Sequence, residues 1–201
     1  MASEQVASKS FAPLITDAST AAKRLLGSIL EREIDGQIVR VKIVETEAYD
    51  QTDAASHSYN GRTARVETMF GPAGRAYVYF TYGMHYCCNI VAGENGYGAG
   101  VLIRAVEPLT NTAVLEEHRK GKTGYDVTNG PAKLCQALAI DLKMNGHDLS
   151  KLPLRLILEP KLPAPDIVTT TRIGISKAKD VLWRFYIKDN PYVSVKAPSD
   201  K

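Results

Sequence analysis

The segment "ILEREIDGQIVRVKIVETEAY", residues 29–49, limits the fold more than any other stretch of the chain. Asp35–Gly36 divides it, and an Asp-Gly pair favours the tight turn in which both central residues take positive φ. After it, in "QIVRVKI", polar and aliphatic residues alternate, the period of a half-buried strand. The stretch therefore predicts an antiparallel hairpin, which excludes an all-helical bundle. Its second arm poses a problem. In a regular strand Val39, Val41 and Ile43 share a face, and the same count adds Glu45, Glu47 and Tyr49 to it. Either the strand ends near Glu45 and leaves both glutamates in water, or it aims two carboxylates where its aliphatics point. A glutamate at such a strand end, facing a cleft, can act as general base on a water.

The remaining punctuation extends the pattern. "DASTAAKRLLG" reads as a short helix capped near Asp17 or Ser19 and stopped by Gly27. Residues 50–65 form a long polar loop. "AYVYFTYGMHYCCNIV" reads as a second hairpin turning near Gly83. A strand follows from Gly100 to about Val106, then a helix through "NTAVLEEHRK". "NGPAKLCQALAIDLKMNG" predicts the clearest helix, with Pro131 in its first turn and Leu134, Leu138 and Leu142 as an apolar stripe. Late strands are expected at "LRLILE" and "WRFYIK". Strands arranged as hairpins rather than as a βαβ series give a mixed, mainly antiparallel α+β domain. The expected organisation is a flexible terminus at residues 1–10 and one domain over 11–201. There is no dinucleotide fingerprint and no P-loop.

Composition narrows the class. With 201 residues, 44% hydrophobic and 23% charged, the chain has an ordinary globular make-up and a net charge of only +3. That permits a polyanionic partner without requiring one. Cys87, Cys88 and Cys135 are odd in number and two are adjacent, so they form neither a disulfide framework nor a zinc ribbon. His57 and His85 have no evident ligand set, and no metal or cofactor is expected. No stretch reaches the ~20 apolar residues of a membrane span, and "MASEQVASKS" is no secretory signal. The reading is an intracellular protein with reduced thiols.

The second hairpin carries the chemistry that composition does not. Tyr77 and Tyr86 read as packing residues. Tyr82 and Met84 flank Gly83 at the tip, where apolar bulk has nothing in its own chain to bury against. Duplex nucleic acid is one partner for such a tip, because its minor groove accepts an apolar wedge between base steps. Arg62, Arg65 and Arg75 flank the loop and hairpin. Arg119, Lys120 and Lys122 read as a solvated helix end. Arg104, inside the apolar run "GVLIRAV", needs an anion, and Glu47 or a phosphate would serve.

The stretches "VETEAY", "HSYNGRT", "MFGPAGRAYVYFTYGMHYCCNIV", "VLIRAVEP", "NGPAKLCQALAI" and "RFYIKDNPYVSV" together resemble the alkyladenine (3-methyladenine) DNA glycosylases. They occur in the family's order and run from about Phe11 to Val195. The resemblance implies one compact α+β domain with a curved, mainly antiparallel sheet, surrounding helices and a β-hairpin that enters the minor groove. It implies a monofunctional hydrolase of base excision repair, acting as a monomer on damaged double-stranded DNA in the bacterial cytoplasm or nucleoid. Its substrates would be 3-methyladenine, 7-methylguanine, hypoxanthine and ethenoadenine. Glu47 would activate the water, positioned with help from Arg104 and the carbonyl of Ile173. Tyr49 and His57 would stack on one face of the extruded base and Tyr79 on the other. Asn89 would clash with the 2-amino group of guanine. Tyr82 would fill the gap in the duplex, with Met84 beside it and Arg62 on the DNA, and Glu45 would be structural. The loop "DQTDAAS" is one residue shorter than in the mammalian pattern.

Two other readings stand beside this one. Glu45 and Glu47, ~7 Å apart along a strand, fall within the carboxylate spacing of inverting glycosidases, which suits a nucleoside or other N-glycoside hydrolase. Side by side, however, they could not flank a bond. A non-catalytic nucleic-acid-binding module would use the tyrosines as stacking platforms.

Overall fold

The computed structural model describes residues 11–197; the terminus expected at residues 1–10 lies outside the described residues. Helix α1, Ala18–Leu25, starts where the Asp17 carboxylate accepts the Thr20 N–H at 2.9 Å, which satisfies one of the free donors of the first turn. Its buried face is Ala18, Ala21, Ala22 and Leu25. Strands β1 (Ile29–Ile34) and β2 (Gln37–Tyr49) form the expected hairpin, with φ of +47° at Asp35 and +77° at Gly36. Strands β3 (Ala76–Thr81) and β4 (His85–Val91) form the second, and β5 spans Gly100–Pro108. Helices α2 (Thr112–His118) and α3 (Pro131–Ala137) follow, then β6 (Leu154–Ile157), β7 (Ile167–Thr170) and β8 (Arg184–Ile187).

The eight strands make one sheet in the order β3-β4-β5-β2-β1-β6, with β8 pairing both β2 and β7, and every pair is antiparallel. This is the α+β domain that the hairpin pattern predicts. The main core joins α1, α3 and one face of the sheet, with Leu25, Leu30, Ile103, Leu134 and Phe185 among its fully buried members. Emptying one such leucine to alanine costs about 2–5 kcal/mol.

Strand β2 overturns the simple alternation. Val39, Val41 and Ile43 enter the main core, but so does Ala48, and the Thr46 hydroxyl donates to the Ala22 carbonyl of α1 at 3.0 Å. Glu47 and Tyr49 line a cleft on the other side of the sheet. The glutamates therefore face away from the aliphatics, not with them. The cause lies in the pairing with β5. Ile43 is opposite Val106 and Thr46 opposite Ile103, yet between them Glu45 pairs with Ala105. One residue of each strand is passed over, Val44 in β2 and Arg104 in β5, and the register is then regained. At the same place β2 exchanges one neighbour for another, pairing with β1 up to Lys42 and with β8 from Glu45 to Glu47. Such irregularities re-aim side chains.

Two further expectations change. The long helix after Gly130 ends at Ala137, and Leu142 falls in a separate 3-10 turn, 51% exposed. Ala139, at φ +47°, ends the helix, with the Ile140 N–H donating to the Cys135 carbonyl and the Ala139 N–H to the Gln136 carbonyl. This is a Schellman-type stop built on alanine where glycine is usual. Strand β7 lay unread in "IVTT", although its residues are β-branched.

Candidate active site

The floor of the cleft is a buried cluster of four charges. Glu45 and Glu47 come from β2, Arg104 from β5 and Arg184 from β8, and none is more than 7% exposed. The two carboxylates are held very differently. Glu45 Oε1 accepts from Arg104 Nε at 3.2 Å, Arg184 Nη1 at 2.8 Å and the Ser194 hydroxyl at 2.9 Å, while Oε2 accepts the Ser194 N–H at 2.7 Å. Four donors thus converge on Glu45, three of them on one oxygen, and the residue lies outside the cavity lining. Glu47 Oε1 accepts the Ile173 N–H at 2.8 Å and pairs with Arg104 Nη1 at 3.2 Å, and Oε2 accepts the Tyr49 hydroxyl at 2.8 Å. That leaves Glu47 room for a further donor. Arg104 finds its anions inside the protein, in both glutamates. Burial pulls its pKa down, but Glu47 and Glu45 more than offset this and the net direction is up.

Above the floor opens a cavity of about 400 Å³ lined by Tyr49, His57, Tyr77, Tyr79, Cys87, Asn89 and Ile173, among others. Burial, then Glu47, pushes the Tyr49 hydroxyl above its usual range, so it remains a donor to Glu47. Burial does the same for Tyr79, which is hydrogen-bonded to Cys87, and raises Tyr77 to about 12. His57 is driven the other way, mainly by burial and then by Arg65, and is neutral at pH 7. Its Nδ1 lies 3.0 Å from the Tyr77 hydroxyl, and its ring meets Tyr79 edge-on with centroids 4.5 Å apart. The Asn89 amide is fixed by donating to the Tyr77 carbonyl at 3.1 Å. Of the tyrosines expected to be packing, Tyr77 is both core and cavity wall, and Tyr86 packs against the main core.

The rim is the hairpin tip. Tyr82 is 82% exposed and Met84 70%. Tyr82 and Gly83 both have positive φ, +51° and +67°. Glycine takes this conformation freely, whereas a tyrosine is strained there, by roughly 1–3 kcal/mol. Arg62 is ion-paired to Glu67 beside Phe70, and Arg75 lies near Asp148. The sequence brought Glu47, Tyr49, His57, Tyr79, Asn89, Arg104 and Ile173 to one cavity, with Tyr82 at its edge. It missed Arg172, Arg184, Asp53 and Ser194. Arg184 carries the same signal as Arg104, a charge inside an apolar strand. Among the described residues no three His, Cys, Asp or Glu gather as a metal site, and no helix is long and apolar enough to cross a membrane.

The fold and site thus define a single antiparallel α+β domain with a carboxylate-floored, aromatic-walled cleft and an apolar hairpin tip beside it. The chain is a member of the methylpurine-DNA glycosylase family, whose pattern matches residues 13–191. It is similar, at 53% identity over 181 residues, to a protein of Carboxydothermus hydrogenoformans, with 90% of this chain and 95% of that one covered. A Clostridium botulinum protein is 51% identical over 193 residues, covering 90% and 95%, and a Francisella tularensis protein 49% over 179 residues, covering 88% and 93%. All three carry the name "Putative 3-methyladenine DNA glycosylase". The chain is accordingly a DNA glycosylase of the methylpurine type, a hydrolase of DNA repair whose substrate is DNA.

Proposed function

We propose that this enzyme flips alkylated or deaminated purines out of duplex DNA and releases them by hydrolysis, with Glu47 activating the water. The substrates are 3-methyladenine, 7-methylguanine, hypoxanthine and ethenoadenine. The observation that carries the reading is the contrast between the two carboxylates: Glu45 takes four donors and lies outside the cavity lining, while Glu47 takes three and lines the cavity. A water there would lie beside a carboxylate that both takes its proton and offsets the oxocarbenium charge of the departing sugar. Arg104 and the backbone of Ile173 hold Glu47 in place, and water as nucleophile makes the enzyme monofunctional.

The walls fit a planar base. Tyr49 and His57 take one face and Tyr79 the other. His57 and Tyr79 touch in the free protein, so an entering base, with ~3.5–4 Å contacts on each side, must separate them. A neutral His57 does not repel a cationic alkylpurine, and the tyrosine faces attract one. Asn89, locked by Tyr77, stands where the 2-amino group of guanine would clash. Tyr82 fills the vacated stack, Met84 presses beside it, and Arg62 exchanges Glu67 for a backbone phosphate. Each part comes from one chain, which suits a monomer, and a DNA substrate suits the bacterial cytoplasm or nucleoid.

The test is incubation with a duplex carrying one hypoxanthine. Release of the free base supports the reading. Cleavage of the nucleoside but not the duplex favours an N-glycoside hydrolase, and binding without release favours a non-catalytic module; either outcome overturns it.

A further inference from the structure

Arg172 lies next to Ile173, and its side chain is completely buried. Its guanidinium lies over the Tyr49 ring, 4.8 Å from the centroid, and over the Trp183 ring at 5.3 Å. Nη1 donates to the Ala48 carbonyl at 2.9 Å and to Asp53 Oδ2, and Nη2 donates to Asp53 Oδ1 at 3.0 Å. Nε is buried with no partner. An arginine placed for stability alone would be a poor choice, because desolvating an ion pair this deep offsets much of its attraction and apolar residues often serve as well. What the guanidinium does uniquely is reach three directions at once with a rigid planar fork.

Those directions are the three segments that build the site. Ala48 lies between Glu47 and Tyr49 on β2. Asp53 lies in the loop that carries His57, and it shapes that loop by accepting the Ala55 N–H at 3.1 Å. Arg172 itself begins the segment whose Ile173 N–H holds Glu47. We infer that Arg172 is a positioning residue, acting with Asp53 to fix the distance between the stacking wall, Tyr49 and His57, and the carboxylate Glu47. It stacks on Tyr49 but does not itself line the cavity. The inference rests on the proposed roles of Tyr49 and Glu47.

Displacing a reacting group by about 1 Å can cost ~10²-fold in rate, and that is the size of effect to look for. Arg172→Lys keeps the charge and most of the volume but loses the fork. Single-turnover excision of hypoxanthine at saturating enzyme should fall ~10²-fold, while affinity for the damaged duplex falls only a few-fold and the fraction of folded protein is unchanged. Asp53→Asn should give the same split. The double variant should be no slower than the slower single one, since both remove one linkage. Should Arg172→Lys not fold, Asp53→Asn alone carries the test. Parental excision rates in the folded variants, or rate and affinity falling together in step with lost folded protein, would overturn the inference. Glu47→Gln is run alongside. If it too excises at the parental rate, the reading of the site has failed; if it is inactive while Arg172→Lys is not, only the positioning role has.

Discussion

The cavity floor and the hairpin tip are built on opposite terms. At the floor four charged side chains are almost wholly buried, and every one is held by named partners. At the tip Tyr82 and Met84 project into solvent on a three-residue turn. The floor is arranged in advance, as the proposed mechanism requires if charge developing on the sugar is to meet dipoles and a carboxylate already in position. The tip is incomplete in the free protein. Its large apolar surface and strained Tyr82 backbone find a use only against a partner. In the proposed mechanism the difference separates two tasks: one region holds still for the chemistry, and the other delivers the substrate to it.

Four substitutions test that division. The largest effect is expected from Glu47→Gln, which keeps shape and hydrogen bonding but removes the anion. Single-turnover excision should fall by about 10²–10⁴-fold, with damaged-duplex binding retained through the aromatic walls and the tip. Glu45→Gln should show its loss elsewhere. Removing one partner from a buried ionic cluster typically costs about 3–5 kcal/mol, so chemical denaturation should reveal a destabilised protein. Excision per folded molecule should fall far less than for Glu47→Gln. If the two variants exchange behaviours, the assignment of roles on the floor is wrong.

Tyr82→Ser removes the wedge and leaves the floor intact. Duplex binding and excision should weaken by about tenfold, roughly 1.4 kcal/mol, and more for a well-paired lesion than for a mismatched one, where extrusion is easier. Identical activity on all duplexes would show that the tip is not the delivery element. The smallest effect belongs to His57, between the two regions. Burial holds its native pKa below the ordinary 6.5, so the unfolded chain takes up the proton first as pH falls. The stability this neutral histidine contributes is present above pH 6.5 and is lost as pH falls through its native value. Stability measured against pH should therefore decline less steeply on the acid side in His57→Phe than in the parent. An unchanged slope would show that His57 is not held neutral.

Much of this was written in the sequence, but unevenly. Asp35–Gly36 and Gly83 announced both hairpins, because local backbone chemistry decides a tight turn. The length of α3 was misread because its stop uses Ala139, which carries no signal of a left-handed conformation. Arg104 declared its need for an anion from its place in an apolar run, but its choice of both glutamates depends on how β5 pairs with β2. The direction of Glu47 was hidden for another reason. Alternation is a rule for regular strands, and this strand is irregular at Val44, where no glycine, proline or asparagine marks the change. The resemblance to the glycosylases proposed Glu47 for the water, whereas the geometry supplied the reason that it points into a cleft.

The paired slips at Val44 and Arg104 also constrain what can happen to the gene. Loss of one codon in β2 alone would draw the rest of that strand along β5 by one residue, ~3.3 Å. Glu47 would then lose its place beside Arg104, even though every functional side chain was still encoded. Loss of the Ala105 codon in β5 as well would remove the second slip and bring the pair back into step with Arg104 retained. The lengths of these two strands, sixty residues apart in the chain, can therefore be inherited only as a couple.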